Sequence, residues 1–187
     1  YFKYEDVSGD GVINEDDKTY LGSPNPWLMM GLTFGFEWKN LDFSMVMNAN
    51  IGNKILNSKR MNKTVFADGN YDLDFYKNCW TPDRTDTTYP SPAAMQKTST
   101  LCCNDFFVED AWYLRIQNIQ MGYTFKNLGK KDIIKGLRVY LAAQRPYTLF
   151  TYNGFTPEIG GSPIASGIDT STYPMQAIYT CGLKLNF

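Results

Sequence analysis

The residue types best suited to chemistry lie near the start of the chain, in the acidic stretch from Asp6 to Asp17. Oxygen-bearing groups recur there at alternate positions, as they do in loops that bind Ca²⁺ through hard oxygen ligands. The candidate ligands are Asp6, Ser8, Asp10, the Val12 carbonyl, Asn14 and Asp17. Asp17 stands where an EF-hand carries a bidentate glutamate, and no helices obviously flank the loop. A structural calcium site and an Asp/Gly turn that binds no ion are therefore both open, and no organic cofactor is predicted.

Catalytic chemistry has little support in this sequence. It contains no histidine, which removes the commonest general base and the usual hydrolase triads. Glu109 and Asp110 are neighbours that would point to opposite sides of a strand, so they cannot act as the paired carboxylates of a glycosidase. Cys79 could form a disulfide with Cys102 or Cys103 in an oxidising compartment, and free thiols are the equal alternative. We therefore expect that the protein is not an enzyme.

The elements that would position these residues are strands, because apolar residues alternate with polar ones and helical periodicity is nearly absent. In 28–39 all six residues on one side are apolar. Lys39-Asn40 then predicts a very short hairpin turn. The pattern changes register near Gln117-Asn118, which predicts either a bulge or a change of environment. The alternating stretches are 28–39, 41–51, 112–125, 137–143, which meets Pro146 as it ends, and 175–187.

The connections between these strands are unequal in length. Residues 52–111 and 149–174 are long and rich in Pro, Gly or polar residues, whereas Lys39-Asn40 and 126–135 are short. If the strands cross a membrane, every long connection lies on one side, an asymmetry typical of outer-membrane barrels. The sequence therefore predicts an all-β, antiparallel transmembrane barrel, in which 1–26 is a further extracellular loop. The polar side chains expected to face the lumen are Glu37, Lys39, Asp42, Asn48, Asn50, Lys184 and Asn186.

A soluble fold is the alternative interpretation of the same alternation. A β-sandwich also alternates apolar with polar residues, and a calcium-dependent carbohydrate-binding module would use the acidic loop. The net charge of −1 gives no electrostatic case for nucleic acid. The barrel interpretation needs more strands than these five, since the smallest such barrels have about eight.

Several stretches, taken in order, resemble the C-terminal part of the SusC/RagA-type TonB-linked outer-membrane transporters. These stretches are Tyr4–Asp17, Leu21–Pro26, Cys79–Pro82, Tyr113–Tyr123, Gly154–Glu158 and Leu183–Phe187. Arg145-Pro146 departs from the pattern, since relatives more often carry an Asn-Leu type pair. The resemblance implies a 22-stranded barrel in the bacterial outer membrane, with a plug domain that lies outside this chain.

The same resemblance implies partners and a cargo. A SusD-like surface lipoprotein would cover the extracellular mouth, and TonB–ExbB–ExbD would act through the missing N-terminal part. The cargo would be an oligosaccharide or a peptide, and Phe187 would be the signal for barrel assembly. Aromatic side chains in the long loops are candidates to stack on sugar faces, with loop packing as the alternative role. They are Trp80, Tyr89, Tyr152 and Phe155.

Overall fold

The computed structural model describes residues 2–63, 72–95, 103–128, 134–160 and 166–186, which group into two compact units. The first unit comprises Tyr1–Pro24, Lys54–Glu109 and Ile159–Thr172, and the second comprises Asn25–Asn53, Asp110–Glu158 and Tyr173–Phe187. The second unit holds the predicted strands, and the first collects most of the long connections.

Seven strands lie in the described part of the chain. They are β1 (Leu28–Trp38), β2 (Leu41–Ile51), β3 (Lys54–Leu56), β4 (Val108–Asp110), β5 (Tyr113–Leu128), β6 (Ile134–Phe150) and β7 (Ile178–Asn186). Five of them form one sheet in the order β1-β2-β5-β6-β7, and every neighbouring pair is antiparallel. Strands β3 and β4 form a separate pair. The predicted all-β, antiparallel architecture is confirmed.

The hairpin between β1 and β2 has the predicted turn at Lys39-Asn40. Its register runs without a slip from Leu28 opposite Ile51 to Trp38 opposite Leu41. Lys39 has φ 56°, a left-handed conformation that is uncommon outside glycine. Two-residue hairpin loops need positive φ in order to match the twist of the strands, so the short connection imposes this conformation on lysine.

A bulge in β5 confirms the predicted change of register. Strand β2 pairs with Ile116 and then with Asn118, so Gln117 has no partner opposite it. One extra residue reverses the alternation of side chains. Leu114 and Ile116 therefore lie on the same face of the sheet as Ile119.

Strand β6 does not end at Pro146 but continues to Phe150. Pro146 lies at the same bulge, because Gln144 pairs with Asn118 and Tyr147 with Ile116. A proline cannot donate to the ladder, and within sheets it is tolerated where the pairing is interrupted. The preceding residue, Arg145, has φ 50°.

Two other strand boundaries differ from the alternation. Strand β7 begins at Ile178 rather than at Met175. Strands β5 and β6 extend into the predicted linker 126–135, to Leu128 and from Ile134, and residues 129–133 lie outside the described part. Backbone hydrogen bonding between strands determines where each strand ends. The alternation of side chains does not show where that bonding stops.

The register gives the five-stranded sheet two chemically different faces. The apolar face carries residues such as Leu32, Phe34, Met45, Ile119, Leu141 and Leu183. Phe34 is 48% exposed and Leu183 is 70% exposed, and Met45 is half-buried. Among the described residues of the second unit, nothing is packed over this face. A soluble sandwich would bury it, so the sandwich alternative is wrong.

The first unit contains three short helices, α1 (Ser58–Lys63), α2 (Leu73–Asn78) and α3 (Pro92–Met95). A small core holds it together, formed by Phe75, Cys79, Tyr89, Met95 and Phe107. No helix in the described ranges is long and apolar enough to cross a membrane.

Parts of the two predicted long loops pair with each other inside this first unit. The Leu56 amide donates to the Gly167 carbonyl over 2.9 Å, and the Asp169 amide donates to the Leu56 carbonyl over 3.0 Å. The segment 167–169 therefore runs beside β3 as a short parallel extension. The sequence pattern did not predict this association.

Candidate functional site

The polar face of the sheet carries the residues that alternation predicted for the lumen. Asp42, Asn48 and Asn50 share one side of β2, and the register places Lys184 and Asn186 of β7 on the same face. Lys39 lies in the turn. The face that bears these side chains is the one opposite Phe34 and Leu183.

An ion pair joins two strands of this polar face that are not neighbours. Asp42 of β2 accepts from Arg138 Nε of β6 over 2.9 Å, and a second bond joins Arg138 Nη2 to the other carboxylate oxygen. The two side chains meet above Gly122 of β5. A Cβ at position 122 would come within 2.5 Å of Arg138 Nη2 and 2.7 Å of Asp42 Oδ1. The glycine therefore leaves the space in which a bidentate pair can bridge the intervening strand.

A second polar cluster centres on Arg115, whose side chain is only 3% exposed. Its Nη1 donates to Glu158 Oε2 over 2.5 Å and its Nε donates to Thr148 Oγ1 over 3.0 Å. The Tyr113 hydroxyl donates to the other Glu158 oxygen over 2.8 Å. Because a buried arginine is costly unless it is paired, this network fixes the Glu158 end of the loop after β6 to the sheet.

Arg115 and Glu158 belong to two sequence stretches that were singled out separately. Arg115 lies between Leu114 and Ile116, which belong to the apolar face. Alternation therefore places Arg115 on the polar face. Glu158 carries no comparable signal, because it lies in a loop. Sequence reasoning missed the pair, since loop conformation decides which carboxylate reaches Arg115.

The predicted stacking residues of the first unit differ in accessibility. Trp80 is 42% exposed, whereas Tyr89 is 4% exposed and packs edge-to-face on Phe75. The Tyr89 hydroxyl donates to Asp74 over 2.7 Å and accepts from the Arg60 guanidinium over 2.6 Å. Trp80 is therefore available to a ligand, whereas the Tyr89 ring would reach one only if this packing opened.

That buried hydroxyl group and its acceptor perturb each other's ionisation. Burial, followed by the hydrogen bond to Asp74, raises the pKa of Tyr89 to about 12. The same hydrogen bond, offset in part by desolvation, lowers the pKa of Asp74. Both shifts favour a neutral tyrosine donating to a carboxylate.

The predicted stacking residues of the second unit show the same contrast. Phe155 is 56% exposed, whereas Tyr152 is 3% exposed. Gly154 lies so close to the Tyr152 ring that any Cβ there would overlap it. Tyr152 thus serves the packing of the loop, and Phe155 is left at the surface.

The acidic loop folds as a turn held together by its own carboxylates. Asp6 accepts from the amides of Gly9 and Gly11, and Asp17 accepts from those of Ser8 and Asn14. The backbone bonds from Asn14 and Ser8 lower the pKa of Asp17. In the described residues no group of three or more Asp, Glu, Cys or His side chains is arranged to hold a metal ion. Calcium binding by Asp6, Ser8, Asp10, Val12, Asn14 and Asp17 stays a prediction.

The cysteines and the chain end complete the predicted features. Cys79 and Cys103 are free thiols, the first buried and the second exposed. Cys102 lies outside the described residues, as does Phe187. The assembly role of Phe187 therefore stays a prediction.

The sequence of the chain is similar to that of several TonB-dependent receptors. No family model matches the chain. It is 32% identical to the TonB-dependent receptor SusC of Bacteroides thetaiotaomicron, over 98% of this chain and 17% of that protein. It is 30% identical to the TonB-dependent receptor P3 of Formosa agariphila, over 98% of this chain and 19% of that protein. The chain thus spans less than a fifth of the length of these relatives.

Solved structures with a similar fold belong to the same kind of protein as the relatives found by sequence. The structure of the RagAB peptide transporter matches 89% of this chain with a TM-score of 0.74 and 28% identity, over 18% of that chain. The RagAB peptide importer in its 'closed-closed' state matches 95% of this chain, again with a TM-score of 0.74, at 25% identity over 20% of that chain. The sheet and its sequence thus match, from one end to the other, a portion of SusC-type receptors, and the chain belongs to the SusC/RagA family of TonB-dependent receptors.

Proposed function

We propose that the chain forms part of the wall and of the mouth of a receptor that imports glycans or peptides in a TonB-dependent manner. Membership of the family places the chain in the bacterial outer membrane. Its relatives include a receptor called SusC and a peptide importer, which supports import and leaves both classes of cargo open.

The observation that carries this proposal is the two-sided sheet. One face exposes Phe34 and Leu183, and the other carries the ion pair of Asp42 and Arg138. A barrel in a bilayer requires that division, because its outer face contacts lipid chains and its inner face borders water or protein. In this proposal the apolar face lies against lipid.

The proposed orientation follows from the connections. The short turn at Lys39-Asn40 lies at one end of the sheet, and the connections 52–111 and 149–174 leave the other end. Outer-membrane barrels keep short turns in the periplasm and long loops outside. We place 1–26 and both long connections on the extracellular side, at the mouth of the barrel.

Substrate recognition is assigned to two exposed aromatic side chains, one in each of the connections 52–111 and 149–174. Trp80 and Phe155 present flat apolar rings, which stack on sugar faces or on the side chains of a peptide. A SusD-like surface lipoprotein would enclose the substrate from above. TonB–ExbB–ExbD would supply energy through a part of the receptor outside this chain.

The test is uptake by living cells that carry the complete receptor. Fluorescent oligosaccharides and peptides are offered to wild-type cells, to cells that lack the receptor and to cells that lack TonB. We expect at least one probe to enter only the wild-type cells, because import needs both the receptor and the energy source. Uptake that persists without TonB, or that never depends on the receptor, contradicts the proposal.

Variants of the complete receptor then test the aromatic assignment. Trp80→Ala should slow uptake of the accepted probe, and Tyr20→Ala is the matched control. Tyr20 is 79% exposed and no recognition role is proposed for it. Equal loss in both variants would contradict a specific role for Trp80.

A further inference from the structure

Two arginine side chains of the polar face approach one sulfur atom at the end of the sheet from which the long connections leave. Arg115 Nη1 lies 3.3 Å from Met175 Sδ, and Arg145 Nη1 lies 3.9 Å from the same atom. Arg115 faces the interior side of the sheet, as its bond to Thr148 establishes. The Arg145 guanidinium therefore reaches the same side.

The two arginines of this cluster differ in their partners. Glu158 neutralises Arg115 and also accepts from the Tyr113 hydroxyl, so its two oxygens are both engaged. Arg145 forms no ion pair with any residue in the described part of the chain. Its contact there is with a thioether, which is a weak acceptor, whereas a guanidinium offers five donors.

The backbone holds Arg145 in a costly conformation. Its φ of 50° lies in the left-handed region, which costs an L-residue roughly 1–2 kcal/mol. The conformation falls at the bulge opposite Gln117, where the pairing of β6 is interrupted. The backbone that carries this side chain is thus held between the paired residues Gln144 and Tyr147.

We propose that Arg145, next to the Arg115–Glu158 pair, binds a carboxylate group of the transported substrate. Planar guanidinium donors match a carboxylate in a bidentate arrangement, and Arg145 is the arginine of this cluster whose charge no described carboxylate neutralises. The cargo class is then an acidic one, either a glycan that contains uronic acid or a peptide that contains Asp or Glu. The inference rests on the proposed import function and adds the chemistry of its cargo.

Matched probe pairs that differ in their carboxylates test the inference. The purified complete receptor, with its lipoprotein partner, is titrated calorimetrically with an oligogalacturonate and with the equivalent oligogalactose. A second pair compares an Asp-containing peptide with its Asn counterpart. We expect the wild-type receptor to prefer one acidic member, and the pair that shows the preference identifies the source of the carboxylate.

Variants at two positions locate the effect. Arg145→Ala should weaken binding of the preferred acidic probe roughly 10- to 100-fold, as the loss of a charged hydrogen bond does, and leave the neutral probe unchanged. The affinity of Arg145→Lys for the acidic probe should lie between those of the wild type and Arg145→Ala, because lysine keeps the charge without the planar pair of N–H donors. Lys126→Ala removes an exposed cation near the other end of the same face and should change neither affinity.

Four results overturn the inference. One is an acidic-to-neutral affinity ratio that Arg145→Ala leaves unchanged in a receptor that remains folded by its thermal transition. The second is a failure of Arg145→Ala to fold combined with wild-type binding in Arg145→Lys. The third is equal competition by inorganic phosphate, which would indicate a general anion site. The last is binding of neither acidic probe, which leaves the import proposal to its separate uptake test.

Discussion

Arg115 illustrates how a single buried charge organises the polar face. Its guanidinium is almost inaccessible, and its partners come from β6 and from the loop that follows that strand. Removing one member of a buried pair leaves the other charge without compensation. We expect Arg115→Met to lower the free energy of unfolding by about 1–3 kcal/mol, measured by urea unfolding of the complete receptor in micelles, because Glu158 is partly exposed and keeps its bond from Tyr113.

The control for that prediction is Lys126→Met, which removes an exposed cation from the same strand. It should change the unfolding free energy by no more than about 0.5 kcal/mol. Similar losses of unfolding free energy in both variants would show that the pairing of Arg115 with Glu158 does not stabilise the fold.

Deprotonation of the Tyr89 hydroxyl group should destabilise the first unit at alkaline pH. Its pKa is about 12 in the folded chain against about 10 when unfolded. The folded state therefore binds this proton more tightly, and the stabilisation is complete below pH 10 and is lost as the pH rises through 12. The near-ultraviolet circular dichroism of the complete receptor should therefore show a loss of tertiary structure across that window.

Tyr89→Phe should abolish the alkaline transition, and Tyr76→Phe, which changes an exposed tyrosine of α2, should retain it. Asp74 has the opposite dependence, because its lowered pKa stabilises the fold above about pH 4 and that stabilisation is lost as the pH falls through the folded pKa. An alkaline transition that survives in Tyr89→Phe would assign it to another group.

Calcium binding by the acidic loop is the remaining prediction about individual residues. We expect Ca²⁺ added to the EDTA-treated receptor to release heat and to raise the thermal transition. Asp10→Ala should remove both effects, whereas Asp86→Ala, outside the loop, should keep them. No heat from the wild-type receptor would leave the loop as a turn stabilised only by its own hydrogen bonds.

At the scale of the element, the glycine of β5 shows what a sheet requires beyond alternation. Gly122 gives Asp42 and Arg138 room to meet across the strand between theirs. Gly122→Val should separate that pair and cost about 1–3 kcal/mol in the unfolding free energy of the receptor. Gly31→Val is the control, since a Cβ at Gly31 meets no atom within 4 Å. An equal cost in both variants would point to strand propensity instead.

Alternation predicted the long strands and the Lys39-Asn40 hairpin because side chains on a pleated strand report the face that each residue occupies. It also located the bulge at Gln117, since an extra residue inverts the pattern. It placed the end of β6 at Pro146 too early, because the missing N–H falls at the bulge, where the ladder is already interrupted.

The candidate site was less predictable than the strands. The sequence identified which residues share the polar face, but Glu158 reaches Arg115 through a loop whose path has no periodic signal. The same limit applies to the aromatic candidates. Composition treats Trp80 and Tyr89 alike, whereas packing against Phe75 buries only Tyr89.

At the scale of the whole molecule, segments of the two long connections fold together in the first unit. Backbone bonds join Leu56 to Gly167 and to Asp169, although more than a hundred residues separate them in the sequence. A pairing so distant in sequence leaves no local pattern to detect.

The apolar face of the five-stranded sheet is expected to contact lipid in the complete receptor. Nitroxide labels placed one at a time on β7, from Tyr179 to Leu185, test it in the receptor reconstituted in bilayers. Residues of the apolar face should be accessible to oxygen dissolved in the lipid, and their neighbours to a water-soluble nickel complex. Accessibility should therefore alternate with a period of two. Leu183 protected from oxygen, or a nickel response at both Leu183 and Lys184, would contradict the account.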